Sequence, residues 1–227
     1  MITVACVLWG NKFPLDYVYN LKSAVERNTT IEHKFICLSD KKIEGIETRI
    51  LKPGYDGWWN KLQLFDMGQA LGERVVYLDL DTLITNNIDW LLEYRGNFMG
   101  IEDVGAINAH QPHLKGVLQT GVLAFNSYMN AALWSELSVR EEFRAKFRGD
   151  GECLNSVIQP LARDLLQNLY PGRLKSYKYQ VYPNRPDNKT SIVCFHGRPS
   201  IIQAMNEPVT TPMQTYFPQD WIKEYWR

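Results

Sequence analysis

Two aspartates one residue apart, Asp79 and Asp81, follow an apolar run that begins at Val75. The run is rich in β-branched residues and has the length of a buried parallel strand. A charge at the end of a buried strand needs a partner that offsets its desolvation. A divalent cation is such a partner, because carboxylate oxygens suit Mg²⁺ or Mn²⁺, which can also bind substrate phosphates. The spacing therefore predicts a metal and phosphate site at the carboxyl end of a sheet strand, where open α/β sheets bind ligands.

The elements before this pair alternate between strand and helix. Apolar patterning predicts strands over Ile2–Trp9, Phe35–Leu38, Thr48–Leu51 and the run from Val75, and helices over Pro14–Arg27 and Trp58–Leu71. Such an alternation is typical of an α/β protein with a Rossmann-like, mainly parallel central sheet and helices on both faces.

The second half of the chain is patterned less regularly. Strands are predicted over Asn97–Ile101, Val117–Asn126 and Ser191–Phe195, a β segment over Leu174–Tyr182, and helices over Asn130–Phe147 and Glu152–Gln167. Pro208–Pro218 is expected to be irregular, and the aromatic tail from Trp221 could pack back as a short helix.

Composition limits the class of protein. A chain of 227 residues can form one domain with a substantial core, and its 25 basic and 25 acidic residues cancel, which argues against nucleic acid or an anionic membrane as partner. No apolar run approaches the ~20 residues of a membrane span. The N-terminus lacks the basic region of a signal peptide. The widely spaced cysteines Cys6, Cys37, Cys153 and Cys194 fit reduced core residues, so we expect a cytoplasmic protein.

Four further segments accompany the aspartates: Trp59–Phe65 around Lys61, Gln119–Asn126, Asp150–Asn155 and His196–Pro199. In this order they resemble the metal-dependent glycosyltransferases of the GT-A fold, most closely the family-eight type that includes glycogenin and bacterial lipopolysaccharide galactosyltransferases. The resemblance extends from about Ile2 to Ser200 and is most specific from Lys61 to Ile84. It implies a single GT-A domain over 1–227. About 1–105 would bind the nucleotide sugar, about 106–205 would complete the acceptor and metal sites, and 206–227 would be a tail.

The resemblance also implies a role for each matching residue. Asp79, Asp81 and His196 correspond to ligands of Mn²⁺, or of Mg²⁺. Lys61 corresponds to a lysine near the diphosphate and donor sugar, Gln119 to a position that faces the donor sugar, and Asp150 to an aspartate that contacts sugar hydroxyls. Gly197 and Arg198 belong to the segment that binds the nucleotide phosphate.

The implied reaction is transfer of a sugar from a nucleotide sugar, a UDP-sugar, with retention of anomeric configuration. The leaving diphosphate is an anion, so a divalent metal and the fixed charges of Lys61 and Arg198 would stabilise it. The acceptor stays open among a glycan, a lipid-linked sugar, a protein and a modified nucleobase.

Two departures from the family pattern bear on the mechanism. Gly151 stands where the family has a glutamine implicated near the anomeric carbon, so no nucleophile can be named. The last motif is shorter than the usual His-x-Gly-x-x-Lys-Pro-Trp and ends at Arg198-Pro199-Ser200.

Other functions compete with glycosyl transfer. Asp79-Leu80-Asp81-Thr82 also fits the Asp-x-Asp-x-Thr motif of haloacid-dehalogenase-like phosphatases, in which Asp79 would be the nucleophile. That motif normally follows the first strand of its domain, whereas three predicted strands precede it here. A non-catalytic nucleotide-sugar-binding module is a further alternative. A nucleotidyltransferase is less well supported, because no Gly-rich phosphate loop follows the first strand.

Each candidate residue also has a structural explanation. His196 could be a hydrogen-bonded histidine at a strand end, Lys61 a solvated helix residue and Asp150 a helix N-cap. Trp58 and Trp59 are expected to be packing residues. Trp9 and Tyr17 could flank a nucleotide base, and the loop around Asp103–Gly116, with His110 and His113, could cover the acceptor.

Overall fold

A seven-stranded sheet forms the centre of the protein in a computed structural model that describes residues 1–69, 71–103, 115–138, 146–158 and 162–227. The described strands, numbered along the chain, are β1 (Ile2–Leu8), β2 (His33–Ser39), β3 (Glu47–Ile50), β4 (Arg74–Leu78), β5 (Thr82–Ile84), β6 (Phe98–Glu102), β7 (Leu118–Asn126), β8 (Asp164–Leu165), β9 (Leu174–Ser176), β10 (Ile192–Cys194), β11 (Val209–Thr210) and β12 (Thr215–Tyr216).

The central sheet has the strand order β3-β2-β1-β4-β7-β6-β8. Its pairings are parallel except on the two sides of β7, which runs antiparallel to β4 and β6. The predicted mainly parallel α/β sheet is therefore confirmed. The described helices are α1 (Asp16–Asn28), α2 (Asp89–Leu92), α3 (Tyr128–Ser138), α4 (Asp150–Val157), α5 (Leu166–Leu169) and α6 (Ile201–Asn206).

Apolar side chains cover both faces of the sheet. Along β1, Val4 and Cys6 belong to one buried cluster and the intervening Ala5 to another, because successive side chains of a strand point to opposite faces. The first cluster includes the apolar face of α1, and the second includes Leu133 of α3 and Leu154 of α4. Helices therefore pack on both faces, as predicted.

The chain leaves the central sheet directly after β4. The amide of Asp79 still donates to the carbonyl of Gly121 on β7 at 2.8 Å, and the amide of Thr82 donates back to the carbonyl of Asp79 at 3.1 Å. This turn carries the apolar residues after Asp81 into β5, which pairs antiparallel with β10 in a second, three-stranded sheet. The single run predicted from Val75 is thus two strands, and both aspartates lie in the turn between them.

The segment predicted as a helix over Trp58–Leu71 is instead 3₁₀-helical over Gly57–Phe65 and Met67–Gln69. Its inward-facing polar side chains take up hydrogen bonds that compete with regular α-helix. The side chain of Gln63 bonds both the amide and the carbonyl of Lys52, at 2.7 and 3.2 Å, and also bonds Asn60.

Two other predicted elements end early. Helix α4 stops at Val157 rather than Gln167, and Pro160 follows closely, a residue that cannot continue a helix. The β segment predicted over Leu174–Tyr182 is a strand only to Ser176, after which Tyr177–Val181 forms a π-helical turn. In that turn Tyr177 stacks on Phe195 with ring centroids 4.3 Å apart, so aromatic packing overrides the alternating pattern.

The C-terminal tail packs back on the domain, as the sequence suggested. Asp220–Glu224 forms a 3₁₀ turn that buries Trp221, and the guanidinium of Arg27 donates to the backbone carbonyls of Tyr225 and Arg227 at 2.9 and 2.6 Å. Pro208–Pro218, expected to be irregular, contains the small β11–β12 hairpin.

All four cysteines are buried and free, which confirms the prediction that they are core residues and form no disulfide bonds. In the part of the chain that the structure describes, no helix combines the length and apolar character that crossing a membrane requires.

Asp89 ties the start of α2 to the chain after α1. Its carboxylate accepts hydrogen bonds from the amide of Thr30 at 2.8 Å, from both threonine hydroxyls of Thr29 and Thr30, and from Asn87. Although partial burial acts in the opposite direction, the bonds from Asn87, Thr29 and Thr30 lower the pKa of Asp89 well below its usual value. The carboxylate is therefore more stable in the folded state than in the unfolded state.

Asp89→Ala is expected to lower the free energy of unfolding by about 1 kcal/mol at pH 7, discounted for the partial exposure of the carboxylate. Because the folded pKa is depressed, the wild-type advantage is present above about pH 4 and declines as the pH falls below it. Urea unfolding at pH 7 and pH 2.5 measures this. Asp220→Ala removes an exposed carboxylate and is the control, for which we expect little change in the free energy of unfolding. If the stability difference between wild type and Asp89→Ala were the same at pH 2.5 as at pH 7, this explanation would be wrong.

Candidate active site

One cavity of about 520 Å³ collects the predicted site residues at the carboxyl end of β4. It is lined by every one of them except Arg198: Lys61, Asp79, Asp81, Gln119, Asp150, His196 and Gly197. These residues come from five separated segments of the sequence, and the sheet brings them together. Their individual roles stay predictions, but their common location follows from the fold.

Lys61 lies at the centre of a buried ion-pair network. Its Nζ is 3.0 Å from Asp79 Oδ1 and 3.1 Å from Asp150 Oδ2, and it donates to Thr120 Oγ1 at 3.0 Å. Only 6% of Lys61 is exposed. Burial alone would lower its pKa, but the negative charges of Asp150 and Asp79 outweigh burial and raise the pKa above the usual value. Lys61 is therefore a fixed cation, and the alternative of a solvated helix residue is wrong.

Thr120 and Tyr77 complete this network, and the sequence interpretation missed both. The hydroxyl of Thr120 donates to Asp150, and the hydroxyl of Tyr77 donates to Asp79. Thr120 reaches the site because the β6–β7 register shifts between Gly100 and Ile101, so the chain bulges just after Gln119. In the sequence, the only indication that Thr120 belongs to the site was its position next to Gln119.

The two aspartates of the turn place an excess of negative charge in the cavity. Asp81 lies partly exposed on the cavity wall, and desolvation together with the charge of Asp79 raises its pKa to about 7. Lys61 contacts Asp79 and Asp150, whereas Asp81 has no ion pair in the described part of the chain. An additional cation would offset this repulsion.

His196 follows β10 and lines the same cavity. Its Nε2 is 2.7 Å from the hydroxyl of Ser176, and its ring stacks on that of Tyr179, with ring centroids 5.6 Å apart and an angle of 27° between the ring planes. Burial, followed by the positive charge of Lys178, lowers the pKa of His196 to about 4. The ring is therefore neutral at pH 7, which metal ligation requires, and a hydrogen bond on one ring nitrogen is the usual way of orienting a metal-binding imidazole.

These side chains fit a divalent cation in their chemistry. Two carboxylates and a neutral imidazole at one cavity form a donor set that Mn²⁺ accepts well and Mg²⁺ less well. The described residues do not, however, include three His, Cys, Asp or Glu side chains already gathered around one point. The metal ligands therefore stay a prediction.

Asp150 is not the helix cap that the sequence allowed. It is the first residue of α4, with Gly149 before it, and its carboxylate faces Lys61 and Thr120 instead of the helix amides. The next residue, Gly151, packs closely on β7: a Cβ atom there would lie 3.2 Å from the carbonyl oxygen of Leu118. A glutamine at this position would push against backbone, which gives a physical reason for the glycine.

Gln119 lines the cavity beside Asp103. Its side-chain amide donates to Asp103 Oδ2 at 2.7 Å, an interaction that the sequence did not indicate. The loop proposed as an acceptor cover continues from Asp103, but His110 and His113 lie outside the described residues.

A second cavity of about 250 Å³ adjoins the first and is more aromatic. Trp9, Lys12 and Phe13 line it, and it shares Trp58, Lys61, Asp79 and Asp81 with the larger cavity. Tyr17, suggested with Trp9 as a base-binding residue, does not line it and is buried against Phe13 and Trp226.

The two adjacent tryptophans have different environments. Trp59 is buried, as predicted, whereas Trp58 is 55% exposed and lies on the wall that both cavities share. The packing prediction is therefore wrong for Trp58. The prediction for Arg198 also differs from the structure. Arg198 does not line the large cavity with the other predicted site residues but lines a separate cavity together with Lys178.

Comparison with known proteins places the fold among glycosyltransferases. No family model matches the chain, and no curated protein matches it in sequence. Among solved structures, the galactosyltransferase LgtC in complex with donor and acceptor sugar analogues superposes with a TM-score of 0.64 at 13% identity, over 88% of each chain.

The bifunctional glycosyltransferase WbbM superposes with a TM-score of 0.63 at 11% identity, over 88% of this chain and 46% of WbbM. The glycosyltransferase GlyE of Streptococcus pneumoniae TIGR4 gives 0.59 at 13% identity, over 88% of this chain and 55% of GlyE. At these identities the likeness establishes the fold, which is the GT-A fold expected from the sequence.

Proposed function

We propose that this chain is a metal-dependent glycosyltransferase that moves a sugar from a UDP-sugar to an acceptor, with retention of configuration. The observation that carries the proposal is the single cavity in which Asp79, Asp81, Lys61, Asp150 and His196 meet. Carboxylates that can hold a cation lie there beside a buried lysine, at the strand ends where α/β sheets bind ligands. The fold shared with glycosyltransferase structures favours this chemistry over others.

The two adjoining cavities match the two ends of a nucleotide sugar. The smaller cavity, with Trp9 and Phe13, suits a flat aromatic base, and the larger one, lined by Gln119 and Asp150, offers hydrogen-bonding groups to a sugar. Asp79 and Asp81 border both cavities. A diphosphate between base and sugar would therefore lie at the carboxylates, where a bound cation could neutralise it.

The chain's own groups would supply positioning and charge. A divalent metal held by Asp79, Asp81 and His196 would act as the Lewis acid for the departing diphosphate. Lys61, kept cationic by its two carboxylates, adds fixed positive charge that needs no reorganisation as the glycosidic bond breaks. Asp150, held by Lys61 and Thr120, would accept hydrogen bonds from sugar hydroxyls, and Gln119 would face the donor sugar.

The alternatives have less support. In a phosphatase that used Asp79 as nucleophile, the Asp-x-Asp motif would follow the first strand of the domain, whereas Asp79 follows β4 and three strands precede it. A non-catalytic binding module would use the same cavities but would not transfer the sugar. An assay for turnover separates that module from an enzyme.

The test is a panel of nucleotide sugars incubated with the protein and Mn²⁺, with slow donor hydrolysis followed by NMR. The expected result is release of the nucleoside diphosphate from a UDP-sugar, with the sugar first appearing in the anomeric configuration of the donor. Candidate acceptors are then added to find which one accelerates release. If no nucleoside diphosphate binds with any divalent metal, the proposed function is wrong.

Trp9→Ala is expected to weaken UDP binding about tenfold, because stacking of a base on an aromatic ring contributes about 1–3 kcal/mol. Binding of inorganic diphosphate should not change, since Trp9 lines only the smaller cavity. Calorimetric titration of both ligands with Mn²⁺ measures this, and Trp9→Phe should keep most of the affinity. If Trp9→Ala lost the same affinity for UDP as for diphosphate, the base would have to bind outside the smaller cavity.

A further inference from the structure

Three aromatic rings connect the tail, residues 221–227, with the smaller of the two adjoining cavities. Phe13 lines that cavity, and the centroid of its ring is 4.9 Å from that of Tyr17. Tyr17 is also in contact with Trp226, whose ring packs edge-on against it with centroids 4.8 Å apart. Both distances are in the range at which aromatic side chains attract each other. Two successive ring contacts therefore link the tail to the cavity wall.

The ring of Phe13 depends on its contact with Tyr17 for its orientation. Phe13 lies between the end of β1 at Leu8 and the start of α1 at Asp16, in a segment without regular secondary structure. The hydrogen bonds of a strand or helix do not hold this residue, so the side chains packed against it fix the position of its ring. Tyr17 is buried in the first turn of α1 and gives Phe13 a rigid surface to pack on.

Trp226 is a fixed neighbour of Tyr17. Its indole is buried, and the guanidinium of Arg27 donates to the carbonyls of the residues on either side of it, Tyr225 and Arg227. Arg27 lies in the last turn of α1, so the tail is bound to the same helix that carries Tyr17. Removal of the indole would leave a space beside Tyr17 that the surrounding side chains fill only in part.

We propose that Trp226 positions Phe13, through Tyr17, to pack against the base of the bound nucleotide. This inference rests on the proposed function and gives the aromatic tail a part in it. Trp226 lines neither of the adjoining cavities, so it is a positioning residue and does not touch the ligand. Without its indole, Tyr17 and then Phe13 would shift, which weakens the packing on the base and leaves the diphosphate contacts unchanged.

The test compares Trp226→Ala with wild type in calorimetric titrations of UDP, uridine and inorganic diphosphate, all with Mn²⁺. We expect the affinities for UDP and uridine to fall about fivefold, which is at the lower end of the loss caused by removing a stacking ring itself. The affinity for diphosphate should stay unchanged. Trp226→Phe should keep most of the affinity for UDP, because a ring still packs against Tyr17.

A double-mutant cycle with Phe13→Ala shows whether Trp226 acts through the cavity wall. If Phe13 carries the effect, Trp226→Ala should not weaken UDP binding further in the Phe13→Ala background, so the two losses are not additive. A general loosening of the fold would instead lower the affinity for UDP in both backgrounds.

Trp90→Ala is the matched control. Trp90 is a partly buried indole that packs on Tyr170 with ring centroids 4.7 Å apart, and it lines neither of the adjoining cavities. Its loss removes a similar ring contact, so it should leave all three affinities unchanged. Thermal unfolding of both variants shows whether they fold, and Trp226→Leu serves if Trp226→Ala does not.

The outcomes separate the two proposals. If wild type binds UDP and Trp226→Ala binds it within about twofold of wild type, Trp226 does not position Phe13 and the inference fails. It also fails if the loss persists in the Phe13→Ala background, or if UDP and diphosphate lose the same affinity. If wild type binds no nucleoside diphosphate at all, the proposed function fails and the inference fails with it.

Discussion

Lys61→Met is expected to lower the free energy of unfolding by about 3–5 kcal/mol at pH 7, the cost of leaving buried charges without their partner. Lys61 Nζ lies within 3.1 Å of both Asp79 and Asp150, and the lysine is almost fully buried. Methionine fills a similar volume, so the loss reports mainly the two uncompensated carboxylates. Urea unfolding of the metal-free protein measures it.

The pH dependence distinguishes this electrostatic cause from a packing defect. In wild type the folded pKa of Lys61 is raised, so its contribution is complete below about pH 10 and is lost only as the pH rises further. In Lys61→Met the carboxylates bind protons more readily in the folded state than in the unfolded state. The stability lost at pH 7 should therefore return in part as the pH falls towards 4.5.

Lys223→Met is the control, because Lys223 pairs with Asp220 on an exposed surface and its loss should change stability little at either pH. A deficit of Lys61→Met that was the same at pH 7 and pH 4.5 would indicate a packing defect. A deficit under about 1 kcal/mol would show that the buried pair contributes no more than a surface pair.

The parts of the fold that follow local patterning were predictable from the sequence. Helix α1, predicted over Pro14–Arg27, runs over Asp16–Asn28, because Val18, Leu21 and Val25 recur at helical spacing and face the core. The parallel strands β1, β2 and β4 were also found, since a buried strand requires a continuous apolar run. The two-residue strand β8 was missed, because it lies inside the helix predicted over Glu152–Gln167.

Elements that depend on distant partners were not predictable. The alternation after Leu174 predicted a strand, but the stacking of Tyr177 on Phe195 draws the chain into a π-helical turn. Similarly, nothing in the sequence distinguishes Gln63 from any other residue of a predicted helix. The hydrogen bonds of its side chain to Lys52, which accompany the 3₁₀ segment, become visible only in the structure. Sequence spacing carries no information about such contacts.

The candidate site also has parts that could be predicted from the sequence and parts that could not. Acids and a histidine at strand ends could be assigned to one edge of the sheet, and Asp79, Asp81 and His196 do line one cavity. The side chains that hold them could not be assigned. Ser176 contacts His196 only because β9 and β10 pair, and the hydroxyl of Thr120 reaches Asp150 only through the irregular register of β7.

Asp81→Asn is expected to abolish most of the Mn²⁺-dependent part of UDP binding. Asparagine keeps the size of the side chain but removes the charge that a hard divalent cation requires. Loss of a residue that merely orients a ligand typically costs 10–100-fold in metal affinity, so loss of a ligand itself should cost about 100-fold or more. Calorimetric titration of UDP with and without Mn²⁺ measures both parts of the binding.

The same substitution should not destabilise the metal-free protein. Asp81 has no ion pair in the described part of the chain. Burial and the like charge of Asp79 disfavour its charged form more than Lys12 and Lys61 favour it, so a neutral side chain relieves repulsion. A variant that unfolds like wild type but has lost the Mn²⁺ dependence therefore isolates ligation from folding. Asp220→Asn, on the exposed tail, should keep wild-type binding. If Asp81→Asn bound UDP with undiminished Mn²⁺ dependence, the cation would have to be held without Asp81, and the assignment of Asp81 as a metal ligand would be wrong.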